Sequence, residues 1–326
     1  EGNDLSVGDL IDNGMLGGFM PMGTTAYEKR GIALEVPEWS IDKCTMCNEC
    51  AFICPHAAIR PFLADDEELK DAPEGFITRE MRGADGLQYR IQVSLEDCTG
   101  CGLCVEVCPA KEKALALKPY DTQKEEAINW AFAMTLSQKV NPVKKYSVKG
   151  SQFEKPLLEF SGACSGCGET PYVKLLTQLY GDRMMIANTT GCSSIWGGSS
   201  PAAPYTTNDA GQGPAWSNSL FEDNAEYGLG MHLANQMKRD RLSNKVSAAL
   251  AADLGSDETK ALLADWLANK DEGEGSRQRA TKLAAALQGE TNEDLQAILA
   301  DEDMLVKPSQ WIIGGDGWAY DIGFSG

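Results

Sequence analysis

The chain is poor in histidine: His56 and His232 are the only two among 326 residues. That leaves little room for a Ser-His hydrolase or a histidine-rich zinc catalyst. Positive charge is scarce too. Asp and Glu number 48 against 29 Lys and Arg, a net charge of −19. Such a surface repels phosphate backbones, so no nucleic acid is expected as a partner. No uncharged apolar run approaches the ~20 residues of a membrane helix, and no membrane is expected either. The start, Glu1 to Leu5, has no initiator Met, no charged n-region and no apolar h-region, so no secretory signal is expected there.

Cysteine is what the chain has in excess. There are 11, an odd number that fits a disulfide framework poorly. In tight clusters in a chain of this size they read as metal ligands in a reducing, cytoplasmic compartment. The remaining composition, 43% hydrophobic and 24% charged, is that of a globular protein, and the length predicts two domains.

Residues 1–40 are Gly- and Met-rich without strong period and predict an amino-terminal arm. Residues 41–118 hold eight cysteines, split by an insertion at 56–97. That insertion carries the acidic patch Asp65-Asp66-Glu67-Glu68 and a strand-like stretch, Tyr89 to Val93. Residues 119–160 form a connector whose middle, Lys139 to Lys149, has four Lys and no acid. It reads as a solvated linker or as a docking patch for an acidic redox partner. Long, weakly charged loops rich in Gly, Ser, Thr and Pro fill 161–235. Across 239–306, stripes at Leu242/Val246/Leu250/Leu254, Leu262/Leu263/Trp266/Leu267, Ala280/Leu283/Leu287 and Leu295/Ile298/Leu299 predict short amphipathic helices. Breaks fall near Gly255, Gly273 to Gly275 and Gly289. Trp311 to Ile313 then predicts a buried strand running into Gly314-Gly315-Asp316-Gly317.

The cysteine spacing carries the chemistry. Cys44-x2-Cys47-x2-Cys50-x3-Cys54-Pro55 is followed by Cys98-x2-Cys101-x2-Cys104-x3-Cys108-Pro109. Three thiolates two residues apart wrap one iron–sulfur cubane on a tight loop, and the fourth reaches the other cluster. The expected ligand sets are therefore Cys44, Cys47, Cys50 and Cys108 for one [4Fe–4S] cluster, and Cys98, Cys101, Cys104 and Cys54 for the second. Paired zinc sites are the alternative, but zinc does not need four cysteines per run. His56, after Pro55, reads as a packing residue or as a hydrogen-bond donor tuning a cluster. Cys164-x2-Cys167 and Cys192 remain. By themselves they are buried apolar cysteines or three ligands of a further cluster. Gly315-Asp316-Gly317 after a strand is an ordinary turn or a diphosphate and Mg²⁺ site.

Taken together, these features resemble the carboxyl-terminal half of the pyruvate:ferredoxin (flavodoxin) oxidoreductase family, which is thiamine-diphosphate dependent. The resemblance runs through Gly23–Arg30, Cys54–Arg60, Phe160–Tyr172, Gly191–Ser194, Ser219–Gly230 and Gly315–Gly323, covering roughly 20–235 and 308–326. It implies an α+β two-[4Fe–4S] ferredoxin-like domain at 41–118. After it comes part of an α/β thiamine-diphosphate-binding domain at 161–326, truncated and carrying the helical insertion at 239–306. Cys164, Cys167 and Cys192 would ligate a third [4Fe–4S] cluster whose fourth ligand is missing. Asp316 would bind Mg²⁺, and Glu169, Cys192, Gly315, Gly317 and Trp318 would bind the cofactor. No catalytic residue beyond these positioning groups is expected.

The resemblance further implies oxidative decarboxylation of pyruvate with CoA to acetyl-CoA and CO2, electrons passing to ferredoxin or flavodoxin. The parent would be a homodimer, and this chain an internal fragment joined to the remaining domains, which hold the aminopyrimidine-activating Glu and the substrate-binding Arg. A different class, a two-cluster electron-transfer module fused to an unrelated interaction domain, would have no reason to carry Cys164, Cys167 and Cys192 upstream of Gly315-Asp316-Gly317.

Overall fold

The structure, a computed structural model, describes residues 5–15, 19–200, 202–315 and 317–322. The chain divides into two compact units, 1–182 with 194–214, and 183–193 with 215–326.

In the first unit, helix α1 (Val7–Asp12) opens on a capping box in which Ser6 and Asp9 satisfy each other's backbone N–H. Strand β1 (Glu35–Trp39) follows. Helix α2 (Glu49–Ile53) and strand β2 (Ile59–Ala64) come next, then β3 (Arg79–Glu80), β4 (Gln88–Val93), α3 (Leu103–Glu106) and β5 (Leu115–Pro119). β1 pairs antiparallel with β5, from Glu35↔Pro119 to Trp39↔Leu115. The arm expected to end at 40 therefore supplies one strand of a two-stranded ribbon. Pro37 breaks its alternation in sequence, yet costs no ladder bond where only one neighbour pairs. The insertion is itself a sheet, ordered β2-β4-β3. Its Tyr89 and Ile91 pack with Val36, Met46, Ile59, Leu115 and Phe153 in one apolar core.

The connector is not a solvated linker. It contains α4 (Glu126–Ala133) and α5 (Val148–Ser151), and buries Trp130, Ala133, Phe153, Leu157 and Leu158. Lys139 Nζ lies 2.6 Å from Asp65 Oδ2 and 2.8 Å from Glu68 Oε2, so the acidic patch takes up the first lysine of the basic stretch. The hydrogen bond from Lys139 lowers Asp65; Glu68, pushed up by burial, is lowered overall by Lys139 and Ser137. Both carboxyls thus hold protons less readily folded than unfolded. The clasp's contribution is complete above the ordinary carboxylate range and lost as pH falls through the lowered values. The thermal midpoint is expected to fall between about pH 5 and pH 3, and Lys139→Met to flatten part of that slope. An identical slope in the variant would remove the clasp from the account.

Helix α6 (Thr170–Tyr180), grouped by sequence with the later domain, belongs to the first unit. Its Thr177 Oγ1 accepts from the Leu157 N–H at 3.1 Å, and its Gln178 donates to the Glu154 carbonyl at 2.9 Å. These bonds tie it to the connector.

The second unit begins with β6 (Met184–Asn188) and the first two residues of the turn α7 (Cys192–Ser194) that follows it. β7 (Ala215–Asn218), α8 (Asn224–Ala251), α9 (Asp257–Asn269), α10 (Ser276–Gln288), α11 (Glu293–Leu299) and β8 (Ser309–Ile313) complete it. The sheet is parallel, ordered β7-β6-β8. The first helix starts at Asn224, well before 239, because its amino-terminal turns pack on β6 and β8 and need no leucine stripe. Gly228 shows this: a Cβ there would meet Ile312 and Ala187. Further along, Leu242, Val246, Leu263, Trp266, Leu283, Leu287, Leu295 and Ile298 form the bundle core. Arg239 stacks 5.7 Å over Trp266 and donates to the Val306 carbonyl at 3.0 Å. The strand expected to be buried, β8, is an edge strand with Ile312 39% exposed.

Candidate metal centres

Both cysteine runs fold the same way. In the first, Met46 and Asn48 take left-handed backbone (φ 59° and 63°); in the second Gly100 and Gly102 do (φ 67° and 77°). That alternation turns three cysteines of each run inward on one loop. Met46 and Asn48 hold the conformation without being glycine. Met46 is fully buried, and Asn48 accepts from Tyr89 Oη at 2.8 Å while donating to the Lys149 carbonyl at 2.9 Å.

Cys44, Cys47, Cys50 and Cys108 line one cavity, together with Trp39, Tyr89 and Leu115. Cys54, Cys98, Cys101 and Cys104 line another, with Pro37, His56 and Leu117. The last cysteine of each run thus faces the cavity of the other. Burial first, and then neighbouring thiols, raise Cys50 and Cys104; burial pushes Cys98 up to about 12. These crowded thiols fit a strongly cationic group that takes them as thiolates. Among the described residues no three His, Cys, Asp or Glu side chains gather closely enough for a single metal ion. Backbone N–H groups of Met46, Gly100 and Ala114 each lie 3.4 Å from the sulfurs of Cys44, Cys98 and Cys108.

The third loop repeats the motif. Gly166 is left-handed (φ 72°), and the Glu169 N–H lies 3.4 Å from Cys167 Sγ, matching Met46 on Cys44 and Gly100 on Cys98. Ser165 Oγ donates to the Thr99 carbonyl at 3.2 Å, and a Cβ on Gly166 would sit 3.6 Å from Cys101 Cβ. This loop therefore lies against the second run. Cys164 is exposed and Cys167 half-buried. His56 is buried, and its Nε2 donates to the Ala163 carbonyl at 3.0 Å. Burial lowers its pKa. It ties the end of the first run to the third loop, which is more than a packing role. Trp196 Nε1 donates to Glu169 Oε2 at 3.2 Å. On the other flank Lys29 pairs with Asp97, next to Cys98, at 2.5 Å.

In the second unit Cys192 is exposed at the turn after β6. The carboxyl ends of the three parallel strands converge there, the usual ligand position of an open α/β sheet. Asn188 ends β6 and donates to Asn218 Oδ1 at 2.9 Å; Asn224 donates to the Ile313 carbonyl at 3.3 Å. Asn188 Oδ1, Asn224 Oδ1 and Ser193 Oγ are buried without a hydrogen-bond partner among the described residues. Sequence reasoning missed all three, since nothing in their spacing marks them. Among the described residues nothing lies within 4 Å of a Cβ position on Gly315 or Gly317, so their backbone is open to approach. Trp318 is buried. Asp316 lies outside the described residues. A Cβ on Gly314 would overlap the Trp318 ring and reach 2.6 Å from Thr189 Cγ2. Gly314→Ala is expected to destabilise the second unit by about 1–3 kcal/mol through overpacking. An unchanged denaturation midpoint would show that Trp318 is free to move. His232 is exposed on α8, away from these groups.

Two four-cysteine loops, each lining the other's cavity with its last cysteine, beside a short antiparallel ribbon define a fold of the two-cluster ferredoxin type. The family model described as a 4Fe-4S double cluster binding domain matches residues 43–111. A second, the pyruvate-ferredoxin oxidoreductase insertion domain, matches 238–295. The whole chain is 57% identical to a pyruvate-flavodoxin oxidoreductase of Enterobacter agglomerans and 54% identical to a pyruvate:ferredoxin oxidoreductase of Moorella thermoacetica, covering 28% of each. Over 95% of its length it is 51% identical to a mitochondrial pyruvate dehydrogenase [NADP(+)] of Euglena gracilis, covering 17% of it. Along its whole length the chain is similar to pyruvate:ferredoxin and pyruvate-flavodoxin oxidoreductases, and it spans about a quarter of the length of the first relatives it matches. Among the described residues no helix is long and apolar enough to cross a membrane.

Proposed function

We propose that the protein carrying this chain oxidatively decarboxylates pyruvate with CoA, giving acetyl-CoA, CO2, a proton and two electrons for ferredoxin or flavodoxin. The observation that carries this reading is the crossing of the last cysteines between the two cavities, joined to 57% identity along the whole chain with a pyruvate-flavodoxin oxidoreductase. When bound, thiamine diphosphate with Mg²⁺ would supply the carbanion chemistry of decarboxylation, and [4Fe–4S] clusters one-electron transfer.

The chain's own residues prepare for those groups. Cys44, Cys47, Cys50 and Cys108 are proposed to ligate one cubane, and Cys54, Cys98, Cys101 and Cys104 the second. Cys164 and Cys167 are proposed ligands of a third; Cys192 joins them on the family resemblance. Support for an electron path comes from the third loop abutting the second run through Ser165 and Thr99, with His56 bridging from Cys54's own loop. The N–H groups of Met46, Gly100, Ala114 and Glu169 point at sulfur, where they stabilise negative charge.

In the second unit, the open backbone of Gly315 and Gly317 supports close approach of a diphosphate. Asn188, Asn224 and Ser193 offer buried polar atoms at the same sheet end. The roles of Glu169, Cys192, Trp318 and Asp316 at the cofactor, and the use of CoA by a homodimeric parent, rest on the resemblance. A reducing, cytoplasmic location is proposed from the tight clustering of the cysteines. An unrelated carboxyl-terminal module is disfavoured by the insertion-domain match at 238–295. The test is bleaching of the iron–sulfur absorbance of the full-length protein by pyruvate, with thiamine diphosphate and CoA present. Bleaching by pyruvate supports the reading; bleaching by dithionite alone contradicts it.

A further inference from the structure

Helix α6 buries an unusual face. Thr170, Val173, Lys174, Thr177 and Gln178 point inward, while Leu175, Leu176 and Leu179 are only half-buried. Lys174 is 1% exposed. Its ammonium donates to the carbonyls of Ala51, Phe52 and Cys54, the last two at 3.1 Å each. Three carbonyls use all three N–H bonds, so the group is held in one place. No carboxylate pairs with it among the described residues, and its burial disfavours the charged form.

A buried ammonium without a counter-ion is costly. The cysteines it neighbours are Cys50, adjacent to the bonded Ala51 carbonyl, and Cys54, whose own carbonyl it bonds. Cys50 lines the first cysteine cavity and Cys54 the second. A cubane with four thiolates carries net negative charge that grows by one on reduction, and net charge is a main control of its potential.

On the reading that these cavities hold cubanes, we propose that Lys174 is a positioning residue that acts on both clusters through its charge. Fixed between a ligand of each, its ammonium favours the reduced state and raises both reduction potentials. The cluster held by Cys54 responds more, because Lys174 bonds directly to the Cys54 carbonyl. The carbonyl bonds alone would make Lys174 a helix cap and leave both potentials unmoved.

The test is an EPR-monitored redox titration of the full-length protein, with iron and sulfide counted in each sample. Lys174→Gln keeps donors for the carbonyls but removes the charge; Lys174→Arg keeps the charge. The expected result is a negative shift of two couples in Lys174→Gln, unequal in size, at unchanged iron content, with both restored in Lys174→Arg. Unchanged potentials in Lys174→Gln overturn the inference, as does an equal shift in Lys174→Arg. If Lys174→Gln loses iron, Lys174→Met is titrated in its place. Loss of iron there too overturns the inference, because the side chain is then needed to build the site. Absence of iron from the unmodified protein would instead sink the cubane reading itself.

Discussion

Cys54→Ala is expected to empty the cluster held by the second cysteine run and to spare the one held by its own. The reason is geometric: Cys54 lines the cavity of Cys98, Cys101 and Cys104, while Cys108 lines that of Cys44, Cys47 and Cys50. A single variant cannot show this, because losing any ligand removes one cubane of about four irons. Pairs can. Residues serving one site are non-additive, and residues serving separate sites add. Cys54→Ala with Cys98→Ala should lose no more iron than either alone, about four per chain. Cys54→Ala with Cys44→Ala should lose about eight, although both cysteines lie in the first run. The reverse pattern would mean that each run wraps its own cluster.

The second large effect is expected at a buried ion pair. Arg60 on β2 and Glu159 have side chains 9% and 8% exposed. Arg60 also donates to the Ala57 carbonyl at 2.7 Å and lies 5.3 Å and 5.1 Å over the Trp130 and Phe160 rings. The next residue, Phe160, donates its N–H to the His56 carbonyl at 2.8 Å. The pair thus holds the chain just before the Cys164 loop against the chain just after Cys54. Removing one partner leaves an uncompensated buried charge, so Glu159→Gln is expected to cost about 3–5 kcal/mol of the first unit's stability. Arg60→Met combined with Glu159→Leu should recover most of that, since an apolar pair of similar volume removes the stranded charge. Anaerobic denaturation of the three variants checks both statements. A loss below about 1 kcal/mol in Glu159→Gln would show that water reaches the pair.

The parts readable from sequence were those whose chemistry demands fixed local spacing. The two cysteine runs and the leucine stripes from Leu242 to Leu299 carry their geometry in adjacent residues, and the breaks near Gly255, Gly273 and Gly289 separate the observed helices. What was not readable depends on partners far along the chain. β1 is a strand because Leu115–Pro119 pairs with it, and Pro37 hides its alternation. Lys139 looked like an exposed cation until the acidic patch some seventy residues earlier closed on it. In α6, periodicity favours burying Leu175, Leu176 and Leu179, yet the buried face carries Lys174, Thr177 and Gln178. Local apolar pattern loses there because carbonyls at the end of α2 and polar groups of the connector need donors more than the core needs leucine.

Eight cysteines arranged as two cubane sites are the centre of the proposed function. Iron, acid-labile sulfide and zinc per chain, measured after anaerobic reconstitution of the 326 residues, test it most directly. About eight irons and eight sulfides are expected, or about twelve of each if the Cys164–Cys167 loop is also loaded, with no zinc. Zinc in place of iron, or about four irons per chain, would contradict it.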